Sequence, residues 1–370
     1  MCINRPKERS FGKKDNLSKL IKVGEKTNKS KYDFLRLFYT KWNQITKPHP
    51  RVIIDTHAGT GLVNLTLKSN LTKKRYSEEI YGSPLIAIIK TIKISKNLKI
   101  ILNEANPDNY VYLRKYLDIV ENEGLPIFER IKKKFPYKSL ETGRKRKLHQ
   151  SKKEYIFPES FNKKTPSGYK KILMFTKGTI IEYNKKIEDS INDIFSIYLD
   201  IIDEKINSKP IALFFVDPCG AVDWKNIIER ICRRANRREG TELILNWSWE
   251  AINRTLKTES KNSMLSKIYG IPIERIDEEF KGLINIDDFL NKYKRQLKEY
   301  FNYVIEVGVP RDRKLKPKQS EHKKYFLILC TNNPSALSLA GYQIEKIGVQ
   351  MREGIADMNT FIYLNNHRGN

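Results

Sequence analysis

The stretch "FFVDPCG", residues 214–220, places an acid and a proline directly after an apolar run. The Asp217 carboxylate and the Pro218 carbonyl oxygen can accept both hydrogens of an exocyclic amine. That holds the nitrogen lone pair towards an electrophile without a strong base. Cys219 offers a different chemistry, since a thiolate at a strand end can add covalently to a pyrimidine ring. Equally, this cysteine can be a small, inert core residue. An amine acceptor on a base also needs a stacking surface, and residues 219 and 220 are Cys and Gly. Trp224 or Trp247 can supply that surface or can belong to the core.

A second constellation is "VIIDTHAGTG", residues 52–61, an apolar run that ends in Asp55 and turns through Gly59 and Gly61. A triphosphate loop would continue with Gly-Lys-Ser/Thr, but Gly61 is followed by Leu62. A dinucleotide fingerprint would need a third glycine where Asn64 stands. The spacing of Asp55, Ala58, Gly59 and Gly61 is similar to the first motif of S-adenosylmethionine enzymes. There the glycines let the backbone approach the ligand and the acid faces its ammonium group. The competing reading is a turn that only reverses the chain. His57, inside the turn, can titrate near neutrality and shuttle a proton, or can be a hydrogen-bonded structural residue.

Three further residues extend this site. Glu104 ends the second apolar run, where a carboxylate can accept from both ribose hydroxyls or can face solvent. Ser83 and Pro84 are suited to a helix start, with Ser83 as cap, whose N-terminus can face a ligand carboxylate. Asn184 is the candidate contact to adenine, next to Glu182 and Tyr183.

These residues need a scaffold. Apolar runs at 51–55, 98–103, 178–183, 210–216, 241–246, 302–308 and 324–330 alternate with amphipathic stretches. Continuous apolar strands between such helices predict an α/β fold with a mostly parallel sheet covered on both faces. The last two runs lack a crossover helix and are expected to pair antiparallel. Seven strands with one late antiparallel strand is the Rossmann-like layout of class I methyltransferases. The expected organisation is a basic tail and helix at 1–48, a core at 49–255 and a basic insertion at 125–172. Small helices follow at 256–300, then final strands and a helix at 301–345, and a tail at 346–370. Tyr32, Leu35, Phe38, Tyr39, Trp42 and Ile45 should form one face of the first helix.

Lysine and arginine total 70 against 43 acids in 370 residues, a formal charge of +27. That excess favours phosphate-rich partners, nucleic acid above all, and "GRKRK" at 143–147 can contact phosphates. Coding bias in a Lys-, Ile- and Asn-rich chain is the alternative source. The four cysteines, Cys2, Cys219, Cys232 and Cys330, have no metal-ligand spacing and suggest no disulfide framework, so no metal is expected. No apolar stretch approaches the ~20 residues of a membrane span. The N-terminus reads as polar, without a signal peptide, and a cytoplasmic location is expected.

Taken in order, "KYDFLRLFYTKWNQI", "IIDTHAGTG", "YGSPLIAI", "FFVDPCGAVDW" and "LILNWSWEAINR" resemble the three-Cys-motif partner family, TcmP, over roughly residues 28–255. The resemblance implies a methyltransferase-like fold and S-adenosyl-L-methionine as cofactor. It also implies a partner protein, radical-SAM-like, that carries three cysteines. It assigns Asp55, Gly59 and Gly61 to the cofactor turn, Ser83 to the adjacent helix start and Asp217-Pro218 to the acceptor, and it matches Asn246, Asn253 and Arg254 to a stretch that can line the pocket or hydrogen-bond loop backbone. A phenylalanine common in that family after Asp-Pro is Cys219 here. The expected activity is methyl transfer to DNA or RNA at an exocyclic amine. A non-catalytic binding partner of the same fold is the alternative, and cytosine C5 methylation through Cys219 a further one.

Overall fold

The computed structural model describes residues 23–24, 26–68, 75–91, 98–123, 170–175, 178–200, 210–218, 220–238, 240–310 and 323–338. The basic insertion around 143–147 and Cys219 therefore lie outside the described residues.

The chain opens with a short strand, β1 (Val23–Gly24), and a long helix, α1 (Lys26–Thr46). Then come β2 (Arg51–Asp55), the hairpin β3 (Leu62–Lys68) and β4 (Arg75–Tyr81), and α2 (Ser83–Thr91). Next are β5 (Leu98–Asn103), α3 (Pro107–Glu123), β6 (Lys170–Phe175) and β7 (Gly178–Tyr183). A helix, α4 (Ile187–Asp193), leads through a π-helical stretch to β8 (Ile211–Val216). A π-helical turn, Trp224–Ile228, runs into α5 (Glu229–Arg237), then β9 (Thr241–Ser248) and α6 (Trp249–Thr255). Three helices follow, α7 (Lys261–Tyr269), α8 (Ile276–Glu279) and α9 (Ile286–Lys298), before β10 (Tyr303–Pro310) and β11 (Lys323–Thr331).

One sheet has the order β10-β11-β9-β8-β2-β5-β7-β6. The five central strands, β9, β8, β2, β5 and β7, run parallel. β11 is antiparallel to β9, and β10 is antiparallel to β11. All seven expected strands are present, and the last two pair as expected. An eighth, β6, overlaps the end of the expected basic insertion at 170–172 and runs beyond it; it pairs antiparallel with β7 at the edge. The polar stretch after Gly61 is also structured: β3 and β4 pair antiparallel, and β1 lies parallel on β3.

The chain builds outward from β2 through β5 to β7, then returns to lay β8 on the other side of β2. The order therefore reverses between β2 and β8, and such a switch opens a crevice at the carboxyl ends of the strands. Both faces of the sheet are covered. Ile53, Leu213, Phe215 and Ile244 pack under α1, α2 and α3, while Val52, Phe214, Leu243 and Leu245 pack against α4, α5, α7 and α9. Period-two alternation carries Asp55, Asp217 and Asn246 onto the α1 side.

α1 docks through Phe34, Leu35, Phe38, Tyr39 and Trp42, all buried, at helical spacing. Ile45 departs from the expected face and is 50% exposed. α2 is buried on every side, Ser83 included, because α1 covers the surface it would otherwise show to water. Asn43 of α1 donates its side-chain amide to Thr91 O at 3.3 Å, satisfying a carbonyl at the end of α2.

Candidate functional site

The turn after β2 is closed by its neighbours. Thr56 N donates to Phe215 O at 3.0 Å, and Ala58 N to Asn103 O at 2.9 Å. Gly59 N donates to Glu104 Oε2 at 2.7 Å, and Asn106 N to Glu104 Oε1 at 2.8 Å. Gly59 and Gly61 have φ of 67° and 87°, which side chains rarely adopt. A Cβ on Gly59 would meet nothing within 4 Å, so the turn backbone faces open space there. A Cβ on Gly61 would touch Tyr116, Leu113 and Leu85 of the core. Gly82 N donates to Gly61 O at 2.7 Å, drawing the start of α2 against the turn.

Asp55 lies beneath this turn, fully buried. Its Oδ1 accepts the His57 backbone N–H at 3.2 Å, and the Ser83 hydroxyl lies close enough to stabilise the carboxylate. Burial pushes its carboxyl up to about 7. The Ser83 hydroxyl and the His57 N–H oppose the rise, and the charges of Asp217 and Glu104 add to it. The Tyr39 phenol is raised well above its ordinary value by burial and by the same two aspartates, Asp55 and Asp217. Its hydroxyl is buried without a hydrogen bond.

Asp217 follows β8 and meets two donors. Lys31 Nζ lies 2.7 Å from Oδ2, and Asn246 Nδ2 lies 2.5 Å from Oδ1. Lys31 is 5% exposed, so its charge and that of Asp217 are neutralised by contact within the fold. Pro218 is buried beside them.

Asp55, Ala58, Gly59, Gly61, Ser83, Glu104, Asp217, Pro218 and Asn246 therefore gather at the carboxyl edge of β2, β5, β8 and β9. The His57 ring sits in the turn with Nδ1 2.8 Å from the Thr56 hydroxyl. Asn184 spends its side-chain amide on the Glu104 carbonyl at 2.9 Å, so it supports that carboxylate from behind. Two aromatic candidates are corrected. Trp224 and Trp247, at 5% and 3% exposure, belong to the core, where both pack against Tyr293. Neither presents a face for stacking. Arg254 is exposed on α6, its guanidinium turned back to Glu250 O. Cys232 and Cys330 are buried, and burial raises both thiols, as expected of inert packing residues.

Three contributors were missed in the sequence. Lys31 shares the apolar stripe of α1 with Leu35, Phe38 and Trp42, and a lysine on such a stripe needs a buried anion. Tyr39 lies on the same stripe. Asn103 knits the edge together: it donates to Thr56 O and Lys185 O and accepts from the Ser190 hydroxyl at 2.7 Å.

No family model matches the chain, and neither does any curated protein. Among solved structures, the chain is similar to a Legionella pneumophila protein of the DUF519 family: 12% identity, 87% of this chain, 93% of that one, TM-score 0.42. It is also similar to Trm1 from Pyrococcus horikoshii, solved with S-adenosyl-L-methionine: 10% identity, 86% of this chain and 59% of that one, TM-score 0.36. Likenesses this distant carry no weight alone, and the strand order of the chain itself is what decides. The fold is that of the class I methyltransferases.

Among the described residues, no group of three or more His, Cys, Asp or Glu side chains is placed to hold a metal ion. No described helix is long and apolar enough to cross a membrane.

Proposed function

We propose that this chain is an S-adenosylmethionine-dependent methyltransferase that acts on nucleic acid at an exocyclic amine. One observation carries the reading: Asp55, Glu104 and Asp217 converge on the crevice where the sheet order reverses. The residues suit the cofactor. Asp55, buried beneath the glycine turn, is the acid placed for a cationic ammonium. The open space at Gly59 admits a ligand against the backbone. Glu104 Oε2 accepts the Gly59 N–H and keeps a second lone pair for a ribose hydroxyl, while Oε1 accepts from Asn106 N and, at 3.5 Å, from the Asn109 side-chain amide.

S-adenosylmethionine, when bound, supplies an electrophilic methyl group on sulfur. The protein's part is placement. Asp217 and the Pro218 carbonyl accept the amine hydrogens and aim the lone pair, so rate comes from orientation and charge rather than from a strong base. A base within a duplex must be extruded to reach them. The charge of +27 supports a phosphate-rich substrate. The resemblance of the ordered motifs to TcmP supports a three-cysteine partner protein.

A second reading has its own observation. Both Asp217 oxygens already accept donors from the protein, as in a purely structural ion pair, which suits a non-catalytic nucleic-acid- or protein-binding partner. Calorimetry with S-adenosylmethionine, followed by label transfer from its methyl group to total RNA and DNA, separates the two. Donor binding and label in one pool, lost in Asp217→Ala, is expected. No heat on titration would overturn the enzymatic reading, and labelling undiminished in Asp217→Ala would overturn the acceptor assignment. Label that vanishes in Cys219→Ala and persists in Asp217→Ala would point to C5 methylation instead.

A further inference from the structure

The pairing of Lys31 with Asp217 brings a hydrogen-bond donor to the acceptor carboxylate, and it narrows the substrate. We infer that these two side chains read an amino group together with an unprotonated ring nitrogen beside it, so that the target base is adenine or cytosine. This rests on the function proposed above.

An ammonium carries three N–H groups and no acceptor, while a carboxylate carries only acceptors. With Nζ 2.7 Å from Oδ2, the pair presents donor and acceptor side by side. The complementary edge has an amino hydrogen next to a lone pair. Adenine shows this at N6 beside N1 or N7, and cytosine at N4 beside N3. The same logic lets the side-chain amides of Asn and Gln read adenine in duplex DNA. Guanine N2 is flanked by N1–H, which would confront the ammonium, and by N3, whose lone pair lies on the side crowded by the sugar at N9.

The placement of Lys31 makes it a fixture. It projects from the helix that buries Leu35, Phe38, Tyr39 and Trp42 in the core, so its backbone cannot withdraw without unpacking that face. Asn246 fixes the other oxygen of Asp217, and the plane of the carboxylate is held from both sides. A donor on the ring nitrogen draws electron density from the amine, so Lys31 serves binding and orientation, and its contribution should appear in KM.

The test uses the full chain, methyl-labelled S-adenosylmethionine, and single-stranded RNA oligomers of adenylate, cytidylate or guanylate. Donor affinity is measured separately by calorimetry. Label on adenine or cytosine is expected. Replacing N1 or N7 of adenine, or N3 of cytosine, by C–H should raise KM about tenfold or more, with kcat within about twofold, for the nitrogen that faces Lys31. Oligomer binding without donor, read by fluorescence anisotropy, should weaken with the same analogue. In Lys31→Met the parent and C–H oligomers should bind and react alike, and Lys31→Arg should restore part of the discrimination. Label on guanine, or an equal C–H penalty in wild type and Lys31→Met, overturns the inference. So does donor binding with no labelled base, which leaves the cofactor reading intact; absence of donor binding overturns both. Should Lys31→Met fail to fold, the wild-type C–H series decides alone: no penalty at any of the three nitrogens overturns it.

Discussion

The backbone N–H of Gly59 donates to the Glu104 carboxylate at 2.7 Å, across two neighbouring strand ends. The acid that ends β5 therefore holds the glycine turn that follows β2, and Asn106 N secures its other oxygen at 2.8 Å. Charge-assisted bonds to backbone N–H groups are among the stronger ones in a fold. Glu104→Ala should release the turn. The expected result is a loss of about 1–3 kcal/mol in urea unfolding and a fall in S-adenosylmethionine affinity of roughly 100-fold or more by calorimetry. Glu104→Gln should keep more of the stability than of the affinity.

On the proposed reading, Asp55 should make donor binding depend on pH. Its folded carboxyl is raised to about 7, so below that pH it is mostly neutral and offers a cation little. A cationic ligand must draw the proton off, and its affinity should climb about tenfold per pH unit from pH 5.5 towards 7, then level. Isothermal titration across this range, with Asp55→Asn as control, checks it. The variant should bind weakly and without that slope.

Glu242 sits fully buried on β9, and burial lifts its carboxyl from 4.5 to about 8, with the Trp42 indole opposing. A carboxyl raised in the folded state holds its proton there after the unfolded chain has lost its own. Folding is thus favoured at low pH and weakened as pH rises from about 4.5 through 8. Urea midpoints should fall across that window. Glu242→Gln should flatten the dependence and stabilise the protein at pH 8 by roughly 1–3 kcal/mol.

Gly270 ends α7 with φ 66°, and an added Cβ would lie 2.3 Å from Trp224 Cδ1. Gly270→Ala must both strain the backbone and displace a buried indole. A loss of about 2–4 kcal/mol is expected in urea unfolding. Because Trp224 packs on the sheet face opposite Asp55, donor affinity of the folded variant should stay within about twofold.

Much of this arrangement was legible in the chain. Buried parallel strands read as apolar runs, and the acids Asp55, Glu104 and Asp217 stand where those runs stop. Their meeting follows from strand order. The hairpin at 62–81 was legible but missed, since Val63, Leu65 and Leu67 alternate with Asn64, Thr66 and Lys68. β6 was obscured by the lysines at 170 and 171 and the basic stretch before them. Trp224 and Trp247 misled because an indole beside a reactive motif suits a core as well as a base. Lys31 could not be matched to its anion: Asp217 lies 186 positions away, and nothing local identifies the partner of a buried lysine.

The Gly82–Gly61 hydrogen bond joins the two ends of that hairpin excursion at 2.7 Å. Whatever lies between these glycines enters and leaves through a single closed neck. Lengthening, trimming or replacing the hairpin should therefore leave the spacing of Asp55 and Ser83 intact. The neck is a natural graft point, where an affinity tag or a second binding module can be carried at the mouth of the crevice without redesigning its floor.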